Sequence, residues 1–413
     1  MWARKRIDIT WSDLAFALRV AMLPPRSRPA FDEFADDSMP CLSVRSGLDL
    51  FLTAKDFPAG SEILVSAITI PDMVRVIEAH GLVAVPFDIE PSTLNVDYES
   101  LKSAITDRTQ AVIVAHLFGA IAEMDLISDI ARENCLLIFE DCAQAFDGDK
   151  YLGHPESDIV AFSFGPIKTA TALGGALLRV RSGSLRERMA EIQDAFTVQR
   201  RSYFAKRALK YGCLKLLGFR WPFGMLAWWC HRTGRDLDAF LSASVRNFGG
   251  GDLLHRLRQQ PSSSLLALVA RRVSRFNAGR QRQRTEFGRM LFAGLDKRLC
   301  PGNAARHHSH WVGVVCSDNP AALVQALRSQ GFDATTISQL TVVMPANMAA
   351  REIPHVAEAL LPRLVFVPLY PELPAREVDR MASIIRSCPV GRPPSATPDG
   401  LTSKAQETLV NHA

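Results

Sequence analysis

The sequence predicts an α/β fold, with a large domain on a mainly parallel sheet and a smaller C-terminal α/β domain. Three observations carry this. From about residue 60 to 180, short apolar runs alternate with helix-like segments, the pattern of strands joined by helical crossovers. Some runs, such as Leu136-Leu137-Ile138-Phe139, are apolar throughout, as parallel strands covered on both faces are. Polar residues follow these runs directly, where an open α/β sheet presents its ligand site.

The elements follow in chain order. Residues 1–45 read as an N-terminal arm with one amphipathic helix, Trp11 to Leu23, closed by Pro24-Pro25. Ser43-Val44-Arg45-Ser46-Gly47 leads into a helix from Leu48 to Asp56. The large domain is expected over 46–194. Its strands are Gly60 to Val65, Val83 to Phe87, Ala111 to Ala115, Leu136 to Phe139, Ile159 to Phe164 and Gly175 to Val180. Its helices are Asp72 to His80, Tyr98 to Ile105 and Met124 to Asn134. A basic-aromatic insertion spans 195–250 and a bridging helical segment 251–295, with one long helix from Ser264 to Leu295. The small domain, 296–388, has a strand Trp311 to Cys316 and helices Pro320 to Gln330 and Ala375 to Ser387. Residues 389–413, rich in Pro, Ser and Thr, read as a disordered tail.

Composition narrows the function. The chain of 413 residues is 47% hydrophobic and 22% charged, which fits a globular protein with a large core. A net charge of +5 is mild for this length and gives no reason to expect a nucleic-acid partner. Eight scattered cysteines without a C-x-x-C pair fit a reducing cytoplasm, with Cys142 read as packing rather than reactive. The N-terminus lacks a signal-peptide pattern and no uncharged stretch reaches membrane-spanning length.

The stretch Phe139 to Val180 holds the chemistry. One strand delivers Glu140-Asp141 and then Gln144, a second ends at Ser163, and the turn beyond it carries Lys168. A pyridoxal 5′-phosphate (PLP) enzyme needs a lysine amine for a Schiff base, a carboxylate at the pyridine nitrogen and donors for a phosphate. Ser46-Gly47 at a helix start offers backbone N–H groups and the positive end of the helix dipole to that phosphate, although Ser46 also reads as a plain cap.

At Glu140-Asp141-Cys142-Ala143-Gln144 and Phe162-Ser163-Phe164-Gly165-Pro166-Ile167-Lys168 the chain resembles the DegT/StrS family of sugar aminotransferases, of PLP fold type I. The resemblance implies that Asp141 holds the pyridine nitrogen and Gln144 lies on the ring-hydroxyl side. It also implies that Ser163, Ser46 and Gly47 bind phosphate and that Lys168 forms the internal aldimine. It implies an amino transfer, with glutamate as donor, to a keto group on a nucleotide-linked sugar, in a homodimer. Departures from the family pattern are Leu48 for a Thr, Ile70 for the aromatic ring that stacks on PLP, and a shorter loop Thr169–Gly175 without an acid. Arg258 falls near the family's phosphate-binding Asn; a phosphate or donor carboxylate and a surface ion pair both suit it. These departures point to an unusual acceptor, lipid-linked or otherwise amphipathic. The alternatives are a non-transaminating PLP enzyme, such as a dehydratase, and a non-catalytic membrane-associated relative that binds a sugar or lipid. In the dehydratase branch the lysine is a His, so the intact Lys168 argues against it.

Between Arg200 and Arg235 basic residues interleave with Trp, Phe and Leu, with no Asp or Glu before Arg235, and Pro222 is expected to interrupt the run. The segment reads as interfacial helices giving peripheral contact with the inner face of a membrane, as a lid, or as a dimer contact. His116 reads as a hydrogen-bonding residue. His307, His308 and His310 read as a strand edge, and no metal is expected.

Overall fold

Seven strands form one sheet: β1 (Ser38–Cys41), β2 (Glu62–Ser66), β3 (Val83–Phe87), β4 (Thr109–Ala115), β5 (Leu137–Asp141), β6 (Ile159–Ser163) and β7 (Ala176–Val180). Their order is β1-β7-β6-β5-β4-β2-β3, and the five strands from β3 to β6 are mutually parallel. Only β7 runs against its neighbours, pairing antiparallel with β6 and β1. The computed structural model describes residues 1–388 except 26, 28, 30, 32, 33, 149, 239–252, 349 and 350. The tail expected at 389–413 and the end of the basic-aromatic segment lie outside the described residues.

Both faces of the sheet are covered, which is why its strands read as unbroken apolar runs. β2 sends Ile63 and Val65 into one core and Leu64 into the other. On the first face lie two helices: α2 (Val44–Lys55) buries Leu48, Phe51 and Leu52, and α3 (Pro71–Ala79) buries Val76 and Ile77. Helix α1 itself (Trp11–Met22) packs instead in a cluster with Phe162, Phe164 and Leu177. Each fully buried large apolar side chain contributes about 1.5–3 kcal/mol. Helices α4 (Tyr98–Ala104) and α5 (Met124–Glu133) cover the far half of the sheet, and α6 (Gly183–Asp194) lies along α2.

Four differences from the sequence expectations have physical causes. The helix expected from Leu48 begins at Val44, because the Ser43 hydroxyl accepts the Ser46 N–H at 3.1 Å. Ser46 and Gly47 are therefore within the first turn, and the cap is Ser43 rather than Ser46. The expected arm is not separate from the sheet, since it contributes β1. The long helix expected from Ser264 to Leu295 is two helices, α9 (Ser263–Ser274) and α10 (Ala278–Phe292). Asn277 caps the second of these through the Arg280 N–H at 3.1 Å, and Phe276 turns inward to meet the Phe146 ring at 5.3 Å. Finally, Pro222 does not interrupt the basic-aromatic run. It sits in the first turn of α8 (Arg220–Arg232), where its missing N–H costs no hydrogen bond.

Helix α7 (Arg201–Leu217) buries Phe204, Ala208 and Tyr211, spaced four and three residues apart, and packs on α1. Its other face and much of α8 expose Leu209, Leu216, Trp221, Met225 and Trp228, with Trp221 84% exposed. No helix among the described residues is long and apolar enough to cross a membrane. The smaller unit has an antiparallel pair, β8 (Gly313–Cys316) and β9 (Leu364–Val367), with helices α11 (Pro320–Ser329) and α12 (Ala375–Ser387). Its core joins Val315, Leu327, Phe332, Val367 and Met381 to Phe287 and Leu291 of α10.

Candidate active site

The end of β5 separates two carboxylates. Successive strand residues face opposite sides, so Glu140 and Asp141 enter different surroundings. Glu140 is fully buried, and its oxygens accept from His116 Nε2 at 2.8 Å, the Ser157 hydroxyl at 2.7 Å and the His154 N–H at 2.9 Å, with Tyr151 also bonded. Burial alone would raise its pKa; the His116, Tyr151 and His154 bonds outweigh it and hold the carboxyl at about 2. His116 accepts the Ala122 N–H on Nδ1 at 3.0 Å, which leaves Nε2 as the donor to Glu140. Cys142 joins this group, and its thiol donates to Glu140 at 3.4 Å. His116, Glu140 and Cys142 are close enough to be weighed as metal ligands, but their polar atoms already satisfy one another.

Asp141 accepts one backbone bond, from Ala143 N–H at 2.9 Å. Burial raises its pKa, and the Ala143 bond, Lys168 and His116 pull the other way. Lys168 responds in turn: burial lowers its amine to about 8, Asp141 counteracts this and Arg45 adds to it. The fold thus brings Asp141, Lys168 and Arg45 within electrostatic reach of one another. Lys168 follows the Ser163-Phe164-Gly165 turn, and its N–H bonds Gly165 O at 3.0 Å. The shortened loop beyond winds onto Phe164, whose carbonyl accepts the Ala172 and Gly174 N–H groups, both at 3.0 Å.

The first turn of α2 lies beside this pair. Arg45, in that turn, is ion-paired with Asp72 in the first turn of α3, where Ile70 occupies the cap position. Gly47 is required by packing, because a Cβ there would stand 2.5 Å from the Leu178 side chain of β7. The α2 N-terminus can therefore lie flat on the sheet. Ser163 ends β6, with its hydroxyl near the Gly165 N–H at 3.4 Å. Arg207 reaches in from α7: a Cβ on Gly174 would lie 3.2 Å from its Nη1, and its buried Nε has no hydrogen-bond partner. Burial lowers its pKa, with Arg45 also acting in that direction.

Two other expected site residues are committed elsewhere. Gln144 accepts the Phe118 N–H at 2.9 Å and so braces the His116–Gly119 loop. Arg258 grips Asp49 of α2 with two bonds at 3.0 Å, on a buried carboxylate that also meets His80 at 2.9 Å. His308 forms an isolated bridge with Ala120 and stacks on His310 at 3.9 Å between ring centroids. Burial drives both imidazoles down, His310 to about 4.

Sequence reasoning missed five residues at the site. Arg45 stood inside the Ser43–Gly47 stretch but was read only as its spacer. Arg207 was one of many cations in the insertion. Lys5, Arg284 and Trp311 come from three distant segments and meet Lys168 only in space: the Lys168 and Lys5 amines lie 4.4 and 3.8 Å from the Trp311 ring centroid. No local signal marks them.

An acid at the end of β5, a lysine in the turn beyond β6 and the N-terminus of α2 thus stand at one edge of the α/β sheet. Residues 30–219 match the DegT/DnrJ/EryC1/StrS aminotransferase family. Both motifs lie within the matched residues. The GDP-perosamine synthase of Caulobacter vibrioides is 32% identical over 152 residues, 36% of this chain and 41% of that protein. The dTDP-4-dehydro-2,3,6-trideoxy-D-glucose 4-aminotransferase of Saccharopolyspora spinosa is 25% identical over 89% of this chain and 90% of its own length. The chain spans well under half the length of three of the curated relatives it matches, that synthase among them. Among solved structures, the aminotransferase TlmJ of Streptoalloteichus hindustanus superposes with a TM-score of 0.67 at 18% identity, covering 94% of this chain and 98% of that one.

Proposed function

We propose that this protein is a PLP-dependent aminotransferase that moves an amino group, with glutamate as donor, to a keto group of a nucleotide-linked sugar. The observation that carries the reading is the meeting of Asp141, at the end of β5, with Lys168, in the turn beyond the neighbouring β6; burial lowers the Lys168 amine there. The residues present fit the cofactor. The α2 N-terminus, Ser163 and the unpartnered Arg207 Nε suit its phosphate, Lys168 its aldehyde and Asp141 its ring nitrogen. When bound, the cofactor supplies an electron sink at the carbon that carries the amino group. Lys168, neutral in a large fraction near pH 8, holds or releases the proton that moves at that carbon. Asp141 keeps a proton on the ring nitrogen through its negative charge. Ile70, at the N-terminus of α3, would cover the ring by dispersion. A homodimer completes the reading.

The test uses the full chain purified with the cofactor. The visible band of lysine-bound cofactor should be present and absent in Lys168→Ala. Glutamate should bleach it, and a nucleotide-linked keto-sugar should restore it. A band that glutamate leaves unchanged would overturn transamination.

A lipid-linked acceptor is the second reading, favoured by the exposed Trp221, Met225 and Trp228 beside the cations of α7 and α8. It requires wild type to float with anionic liposomes and a Trp221→Ser/Trp228→Ser variant to sink. Equal flotation removes it.

A further inference from the structure

The first residues of the chain are stitched to the small domain. Trp2 N–H donates to Gly331 O at 2.7 Å, and Asp333 N–H donates to Trp2 O at 2.8 Å. Arg4 pairs with Asp333 at 3.1 Å and with Asp238. These bonds fix Lys5 over the Trp311 indole, the ring that Lys168 also meets. Trp311 is in turn held by its indole N–H, which donates to Ile167 O at 3.1 Å. From α10, Arg284 enters the same cleft. It is 7% exposed, its Nη1 donates to the Thr169 hydroxyl at 2.9 Å, and its Nε has no hydrogen-bond partner among the described residues.

The cleft is lined by Lys5, Arg6, Lys168, Arg284, Trp311 and Tyr370, with Asp8 as its acid. Asp8 is shared among several partners: it accepts the Ala170 N–H at 2.8 Å, faces Arg280 at 3.4 Å and Arg272 at 3.7 Å, and acts electrostatically on Arg284. Glu372 nearby is held by Arg280 at 2.7 Å. Lys5 makes no ion pair among the described residues. Burial pushes its amine well down, and Lys168, Arg284 and Arg4 push it further. Asp8 offsets the charge of Arg284 in part, whereas Lys5 is enclosed with no acid among the described residues acting on it; an enclosed cation without counter-charge is costly, and an entering anion relieves it.

We propose that Lys5 and Arg284 form the carboxylate subsite for the amino donor, holding the α-carboxylate of the amino acid whose nitrogen is exchanged at Lys168. This rests on the aminotransferase reading. The α-carboxylate is attached to the carbon that bears the amino group, so it must dock beside the Lys168 amine. The phosphates of a sugar nucleotide lie several bonds farther from the reacting carbon. A guanidinium and an ammonium together match the two oxygens of a carboxylate.

Calorimetric titration of the full chain tests this, with 2-oxoglutarate as the carboxylate probe and UDP as the phosphate probe. Lys5→Met should weaken 2-oxoglutarate binding about tenfold or more, the loss of one charge-assisted hydrogen bond. It should leave UDP binding unchanged, and Lys5→Arg should recover most of the loss. Lys5→Gln gives a second measure should the methionine variant not fold. In the loaded enzyme the donor KM rises and the acceptor KM does not. Wild-type affinity for 2-oxoglutarate in the variants, or a loss confined to UDP, overturns the subsite. The visible band separates the two hypotheses. If wild type lacks it, the aminotransferase reading fails; if the band persists with 2-oxoglutarate binding unaffected by Lys5, only the subsite fails.

Discussion

Glu140 points into a closed network, while its neighbour Asp141 points toward Lys168 and accepts a backbone bond from Ala143. The first carboxyl is held at about 2 and the second is pushed above its ordinary value. The same residue class at adjacent positions has thus been given opposite electrostatics. What separates them is what each meets across the sheet: polar hydrogens converge on Glu140, whereas Asp141 meets a lysine and burial. A satisfied buried acid holds the scaffold together, and an undersatisfied one is available to a ligand.

The largest effect should come from breaking the satisfied side. Glu140→Ala leaves His116, Tyr151 and Ser157 without their acceptor, and should cost about 3–5 kcal/mol of unfolding free energy in denaturant titration. The pH dependence has a defined sign. Because the folded pKa of about 2 lies below the ordinary 4.5, the contribution is complete above about 4.5 and is lost as pH falls through 2. The variant should therefore lose part of the acid dependence of wild-type stability.

Asp141→Asn sharpens the contrast. It should lower turnover by about a hundredfold, the scale of a preorganised electrostatic partner, while changing the denaturation midpoint far less than Glu140→Ala. Equal damage to stability from the two variants would erase the distinction between them.

A smaller effect is expected at Gly47. Its added Cβ in Gly47→Ala collides with Leu178, so α2 must shift, at a cost of about 1–3 kcal/mol. Cofactor affinity should fall along with stability, because the helix N-terminus moves with the helix. Unchanged cofactor affinity would mean that this N-terminus is not the phosphate site.

The smallest effect concerns Lys168 itself. Capture of cofactor by the stripped protein needs the neutral amine, so its rate should rise with pH through about 8. Arg45→Met removes a cation that disfavours the ammonium and should move this rise upward. Asp141→Asn removes the anion that favours it and should move the rise downward. Stopped-flow absorbance across a pH series reads both shifts.

Much of the scaffold was legible in the chain. Val83–Phe87 and Ala375–Ser387 fall where periodicity places them, because each carries an uninterrupted pattern and a clear local stop. The Ser264–Leu295 pattern misled, since its apolar spacing continues through Arg275–Asn277 while Asn277 caps a new helix and Phe276 seeks a distant aromatic cluster. The helix start at Ser46 misled for a related reason: two serines competed for the cap, and the earlier one took it.

The sequence by itself determined the alternation of strands and helices, the placement of Asp141 and Ser163 at strand ends and that of Lys168 in the turn beyond, because local spacing and chain direction suffice for these. Only the tertiary structure decided that Lys5, Arg284 and Trp311 would stand around Lys168, that Arg207 would enter from α7, and that Glu140 and Asp141 would part in character. Those outcomes depend on burial and on charges from segments far apart in the chain, and electrostatic environment is a property of the folded surroundings rather than of neighbouring residues.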